Sequence, residues 1–136
     1  QHLMMDPVST LDLSEPVVIE AETSLASALS LMAEKNVGCL LVLNKTGELT
    51  GILAEGDFFN KVAGENVDLA TSKVQDFMTA NPTPMKETDS IGYAMHLMAL
   101  HGYRHIPVVN EDGKPIKVVS FKDSLKFIVK LYAIVS

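Results

Sequence analysis

The chain holds a single cysteine, Cys39, among its 136 residues. A lone cysteine excludes an internal disulfide and fits a reducing cytoplasm. No apolar run approaches the ~18 residues of a membrane helix, which excludes membrane insertion of that kind. Basic residues are few, with 11 Lys and Arg against 17 Asp and Glu and a net charge of −6. Nucleic acid calls for a basic face, and an anionic bilayer surface repels this balance. Catalytic signatures are missing too: there is no P-loop, GxGxxG or HExxH, and the acidic residues are dispersed. The chain therefore reads as a non-enzyme without a catalytic cofactor. His96 and His101 are five residues apart, about 140° around a helix, which suits no shared metal. No signal-peptide pattern opens the chain, and Gln1 in place of an initiator Met points to a processed or truncated start.

What is present is apolar and patterned. Hydrophobic residues make up 47% and charged residues 21%, the balance of a globular chain. Leu25, Ala28, Leu29 and Met32 form a helical stripe behind Ser24 as N-cap, with Asn36 and Gly38 at its end. Leu40–Leu43 and Leu49–Ala54 read as strands around the turn Asn44-Lys45-Thr46-Gly47. A helix over Asp57–Ala63 ends at Gly64. Met32, Met95 and Met98 sit among apolar neighbours as core, and Cys39 is expected as a buried, inert thiol.

The order then starts again. An offset of 66 places Val8 on Val74 and carries on without a gap to Val62 on Ile128. Identical pairs include Pro16/Pro82, Ser24/Ser90, Ala28/Ala94, Met32/Met98, Asn44/Asn110, Gly47/Gly113 and Asp57/Asp123. They fall on caps, stripes and turns, where local physics limits the choice of residue. The second copy carries the stretch Gly102–Asp123: loop, strand Ile106–Val109, turn Asn110–Gly113, a strand through Val118 and Val119, then Ser120-Phe121-Lys122-Asp123 opening a helix. The expected fold class is α+β, two βαββα repeats packed as a pseudo-twofold pair. Residues 8–64 form repeat 1, 65–73 a polar connector and 74–132 repeat 2. Each repeat alone is marginal in size, so the two are expected to share a core.

In Val74–Thr79, Gly102–Val109, Gly51…Asp57 and Lys117…Asp123 the chain resembles the tandem cystathionine-β-synthase (CBS) domain pair. The resemblance spans Val8 to about Leu131. It implies a cleft between paired sheets, an adenosine ligand (AMP, ADP, ATP or S-adenosylmethionine) and control of an attached or partner protein. It also implies a homodimer.

On that resemblance the ligand residues of the second copy are Thr83, Met85, Arg104, His105, Ile106, Pro107, Ser120, Lys122 and Asp123. Ser120 and Asp123 suit a ribose diol, because an ionised carboxylate accepts only and a diol offers two O–H donors. The helix N-terminus beside them favours phosphate, and so do the planar donors of Arg104. The same Ser-x-x-Asp is close to a capping box, so helix capping explains it as well. A weaker second site comprises Val18, Cys39, Leu40, Leu41 and Asp57. There Ala54 replaces the serine and Gly38 the arginine, while Gly51 stands where the second copy has Lys117. Asymmetric occupancy is expected, with the second copy the better site. The alternative is a ligand-independent dimerisation or scaffold module.

Overall fold

The computed structural model describes residues 4–62 and 66–135. Two compact units divide the chain: residues 16–82, and residues 83–136 together with 1–15. Each follows the same plan.

In the first unit β1 (Val18–Ile19) leads to α1 (Leu25–Lys35), β2 (Cys39–Leu43), β3 (Leu49–Ala54), α2 (Glu55–Val62) and β4 (Thr79–Ala80). The sheet order is β1-β2-β3-β4, with β1 parallel to β2 and the other pairs antiparallel. Ser24 caps α1 as its sequence predicts, its Oγ accepting from Ser27 N–H at 3.1 Å. Asn36 ends the helix in the left-handed region, at φ 54°. The apolar stripe of α1 packs on the sheet, so Leu25, Ala28, Met32, Leu40, Val42, Leu53 and Val74 form one core. Burying a side chain of that size contributes about 1.5–3 kcal/mol.

The second unit repeats the pattern with β5 (Met85–Lys86), α3 (Ile91–His101), β6 (His105–Val109), β7 (Pro115–Ser120) and α4 (Phe121–Val135). Its sheet order is β5-β6-β7. Ser90 Oγ accepts from Tyr93 N–H at 3.1 Å, and Gly102 closes α3 at φ 72°. The two hairpin turns share the same backbone-to-asparagine bonds. Asn44 Oδ1 accepts from Thr46 and Glu48 N–H, and Asn110 Oδ1 from Asp112 and Lys114 N–H.

The sequence repeat and the packing unit divide the chain differently. Val8–Thr10 is a 3-10 turn, and Val8 and Leu13 pack among Met85, Leu97, Ile106 and Val119. Ser14 bridges Val118, so this arm adds to the edge of β7. Val74–Asp76 is the matching turn of the first unit, followed by β4 on the edge of β3. Each copy's leading segment thus completes the other copy's fold. Helix α2 starts two residues earlier than its pattern suggested, at Glu55. Its expected stop, Gly64, lies outside the described residues, as do the first connector residue, Glu65, and the last residue of the predicted helix, Ala63.

Candidate functional site

Strand pairing sets the geometry of the second copy. His105 opposes Ser120 across β6 and β7, and Phe121 N–H donates to the Arg104 carbonyl at 2.7 Å. The start of β6 is therefore tied to the start of α4. Arg104 is exposed, and its guanidinium carbon lies 4.5 Å from the centroid of the Phe121 ring. Such stacking contributes about 0.5–1 kcal/mol at an exposed site and holds the cation at the helix N-terminus.

Ser120 and Asp123 form a reciprocal cap. Asp123 Oδ2 accepts from Ser120 N–H at 2.7 Å and from Ser120 Oγ–H at 3.0 Å. Asp123 N–H donates back to Ser120 Oγ at 3.3 Å. Both bonds that the carboxylate accepts fall on Oδ2. Among the described residues Oδ1 accepts no hydrogen bond, so half of the carboxylate's capacity stays open. Capping and ligand binding are thereby assigned to different oxygens of one side chain.

The remaining residues of the expected site divide by burial. Ser120, Asp123 and His105 are half-buried, and Lys122 is exposed. Met85 and Ile106 are fully buried in the core and Pro107 is buried on β6. Thr83 is exposed on the loop before β5, and β5 is separated from β7 by β6. Two strand spacings, about 10 Å, separate that strand from Ser120. The structure thus gathers Arg104, His105, Ser120, Lys122 and Asp123 at one sheet end and sets Thr83 and Met85 apart.

The first copy differs at each matching point. Glu55 N–H donates to the Gly38 carbonyl at 3.0 Å, the counterpart of Phe121 on Arg104. Where the second copy has a cation over a ring, the first has glycine and a carboxylate. Around the α2 N-terminus stand Glu55 and Asp57; around the α4 N-terminus stand Asp123 and the cations Arg104 and Lys122. Cys39, Leu40 and Leu41 are buried in β2, and Val18 is half-exposed beside Leu41. The Cys39 thiol is pushed up to about 12, first by burial and then by the Glu55 charge. It is inert, as expected of a buried thiol.

The Met78 side chain lies over Gly51. A Cβ at position 51 would overlap Met78 Sδ and lie 3.1 Å from both Met78 Cγ and Cε. The counterparts at the offset are Lys117 and Asp12, and Lys117 Nζ reaches Glu15 at 3.9 Å. Lys117 is therefore part of how the arm docks. Sequence reasoning also missed Phe121, Met78 and Thr79. Aligning Glu55 with Phe121 gives a signal for the first; the other two belong to an arm whose docking crosses the repeat boundary.

Residues 4–64 and 74–130 each match the family model described as CBS domain. The chain belongs to the CBS domain family. An uncharacterized 17.7 kDa protein of Acidianus ambivalens is 26% identical over 129 residues, covering 95% of this chain and 77% of that protein. Some relatives are much longer. CBSCBSPB5 of Arabidopsis thaliana is 30% identical, and the match covers 87% of this chain but 21% of that protein. Among solved structures, an uncharacterized conserved protein from Pyrococcus horikoshii superimposes with a TM-score of 0.83 at 26% identity, covering 91% of this chain and 92% of the other. A CBS domain protein from Pyrobaculum aerophilum, solved with AMP, shares the fold at a TM-score of 0.78 and 24% identity, covering 86% and 88%. Tandem CBS repeats with an α+β fold are what the chain contains.

Proposed function

We propose that the chain is a non-catalytic regulatory module that binds an adenine nucleotide at its second CBS repeat and so controls an attached or partner protein. One observation carries the reading: the open Asp123 Oδ1 beside Arg104 and Lys122 at the N-terminus of a long helix. Oδ1 takes a ribose hydroxyl. Arg104, held over Phe121, takes a phosphate together with the helix N-terminus. The AMP found in the Pyrobaculum protein supports the ligand class for this fold. The two carboxylates of the first repeat disfavour a phosphate, so one nucleotide per chain is expected.

A ligand regulates only through a difference in affinity between two arrangements of the protein. Self-association is the natural setting. Leu125, Ile128, Val129 and Tyr132 leave an exposed apolar face on α4. That face also favours the second reading, a dimerisation module in which Ser120 and Asp123 serve only as caps. A thermal-shift panel of AMP, ADP, ATP and S-adenosylmethionine separates the two. A ligand at 100 times its Kd raises stability by about 2.7 kcal/mol. A shift with a phosphate-bearing ligand that Arg104→Ala removes supports the module; no shift with any of the four favours the scaffold.

A further inference from the structure

The first repeat is not simply a worn copy of the second, because its acidic residue is engaged by a different element. Asp57 Oδ2 accepts from Ala54 N–H at 3.3 Å, the counterpart of Ser120 N–H on Asp123. The serine hydroxyl of the second copy has no equivalent at Ala54. In its place Thr79, on β4, directs its Oγ1 to Asp57 Oδ1 and Oδ2, at 3.4 Å each. Thr79 is fixed there by backbone pairing, since Ile52 opposes Thr79 and Gly51 opposes Ala80. The preceding residue, Met78, fills the space over Gly51. Among the described residues, both oxygens of Asp57 are thus engaged, whereas Asp123 keeps Oδ1 open.

We infer that Thr79 is the residue that closes the first repeat: its hydroxyl stands on Asp57 where a hydroxyl-bearing ligand would stand, and β4 is the strap that holds it. An O–H donor on a carboxylate is what a ribose presents to Asp123 in the second repeat, so this inference rests on that reading. The single Thr79 hydroxyl proton is shared between the two oxygens at 3.4 Å each, long for an O–H···O contact, so removing it leaves Asp57 an acceptor that a ligand hydroxyl can approach more closely. Glu55 repels phosphate, and Gly38 stands where the second repeat has the attracting Arg104, which makes the uncharged nucleoside the ligand class for an opened first repeat. Ala54, which brings no hydroxyl, and Thr79 on β4 then form one arrangement, in which the cap hydroxyl comes from the arm.

The test is calorimetric titration with adenosine of the full chain, Thr79→Val, Thr79→Ser, and Thr79→Val combined with Asp123→Asn. Valine keeps the shape and β-branching at an exposed strand position but removes the donor, while serine keeps the donor. The expected result is one more equivalent of adenosine bound by Thr79→Val than by the unaltered chain, retained in the double variant, and no gain with Thr79→Ser. An unchanged number of sites in Thr79→Val, or an equal gain with serine, overturns the strap. If the unaltered chain binds no adenosine and Thr79→Val binds one equivalent, the strap stands and the second-repeat reading falls. If both bind one, and Asp123→Asn removes it, the second-repeat reading stands and the strap falls.

Discussion

Asp123 shows how one side chain serves two purposes without conflict. Its Oδ2 closes the α4 cap and its Oδ1 is open, so Asp123→Asn changes both functions by different amounts. Hydrogen bonds to a charged acceptor contribute about 1.5–3 kcal/mol, so adenosine affinity should fall roughly tenfold or more. The helix keeps an oxygen acceptor and should lose only about 1 kcal/mol. Affinities and melting temperatures measured side by side check this; equal affinity with a lowered melting temperature makes Asp123 a cap alone. Arg104→Ala separates phosphate from nucleoside, because the guanidinium has a phosphate to meet only in the nucleotide. AMP affinity should drop about tenfold or more while adenosine affinity holds, and equal losses for both contradict the assignment. Cys39 gives a prediction in pH. Burial pushes the folded thiol up from its ordinary 9.0 to about 12, and the Glu55 charge adds a smaller push in the same direction. The raised value stabilises the fold fully below the unfolded pKa. Above it the unfolded chain releases a proton that the folded chain keeps, so stability falls by up to about 1.4 kcal/mol per pH unit between those limits. Denaturation from pH 8 to 11 with Cys39→Ala as reference should show that slope lost in the variant.

At the scale of elements, the arms decide the differences between the copies. Gly51 is paired with Met78, and Lys117 with the arm residue Glu15, so each arm is matched to the strand it covers. Gly51→Ala pushes its Cβ onto the Met78 sulfur, and the cost should be about 1–3 kcal/mol, as for overpacking elsewhere. Met78→Ala in the same chain should return part of that loss; additive losses in a double-mutant cycle count against the contact. These arms mark the limit of what was legible in the sequence. The helices, hairpins and caps were readable because Ser24, Ser90, Asn44, Asn110 and Gly113 act on backbone within four residues of themselves. Arg104, Ser120 and Asp123 could be brought together from sequence because one hairpin register aligns them. The arms could not be assigned: Val8 and Val74 are apolar residues in short turns, and nothing local says which sheet they complete. Nor could the sequence show which face of β6 Ile106 occupies, since alternation is lost where successive residues of a strand are buried.

At the scale of the whole molecule, two similar repeats have been given unlike charges and unlike closures. One carries cations and an open carboxylate oxygen, the other two carboxylates and a strap. The exposed face of α4, from Leu125 to Tyr132, should bring chains together, and light scattering at micromolar concentration is expected to give at least a dimer mass. A monomer mass there would leave that face without a role in assembly. The central claim is that one nucleotide binds per chain, at the second repeat and through both sugar and phosphate. Calorimetric titration with AMP of the unaltered chain, Arg104→Ala and Asp123→Asn tests it most directly. The account predicts one equivalent of AMP in the unaltered chain, with the affinity lowered roughly tenfold or more by each substitution. Two equal sites, or a single site that neither substitution weakens, would contradict it.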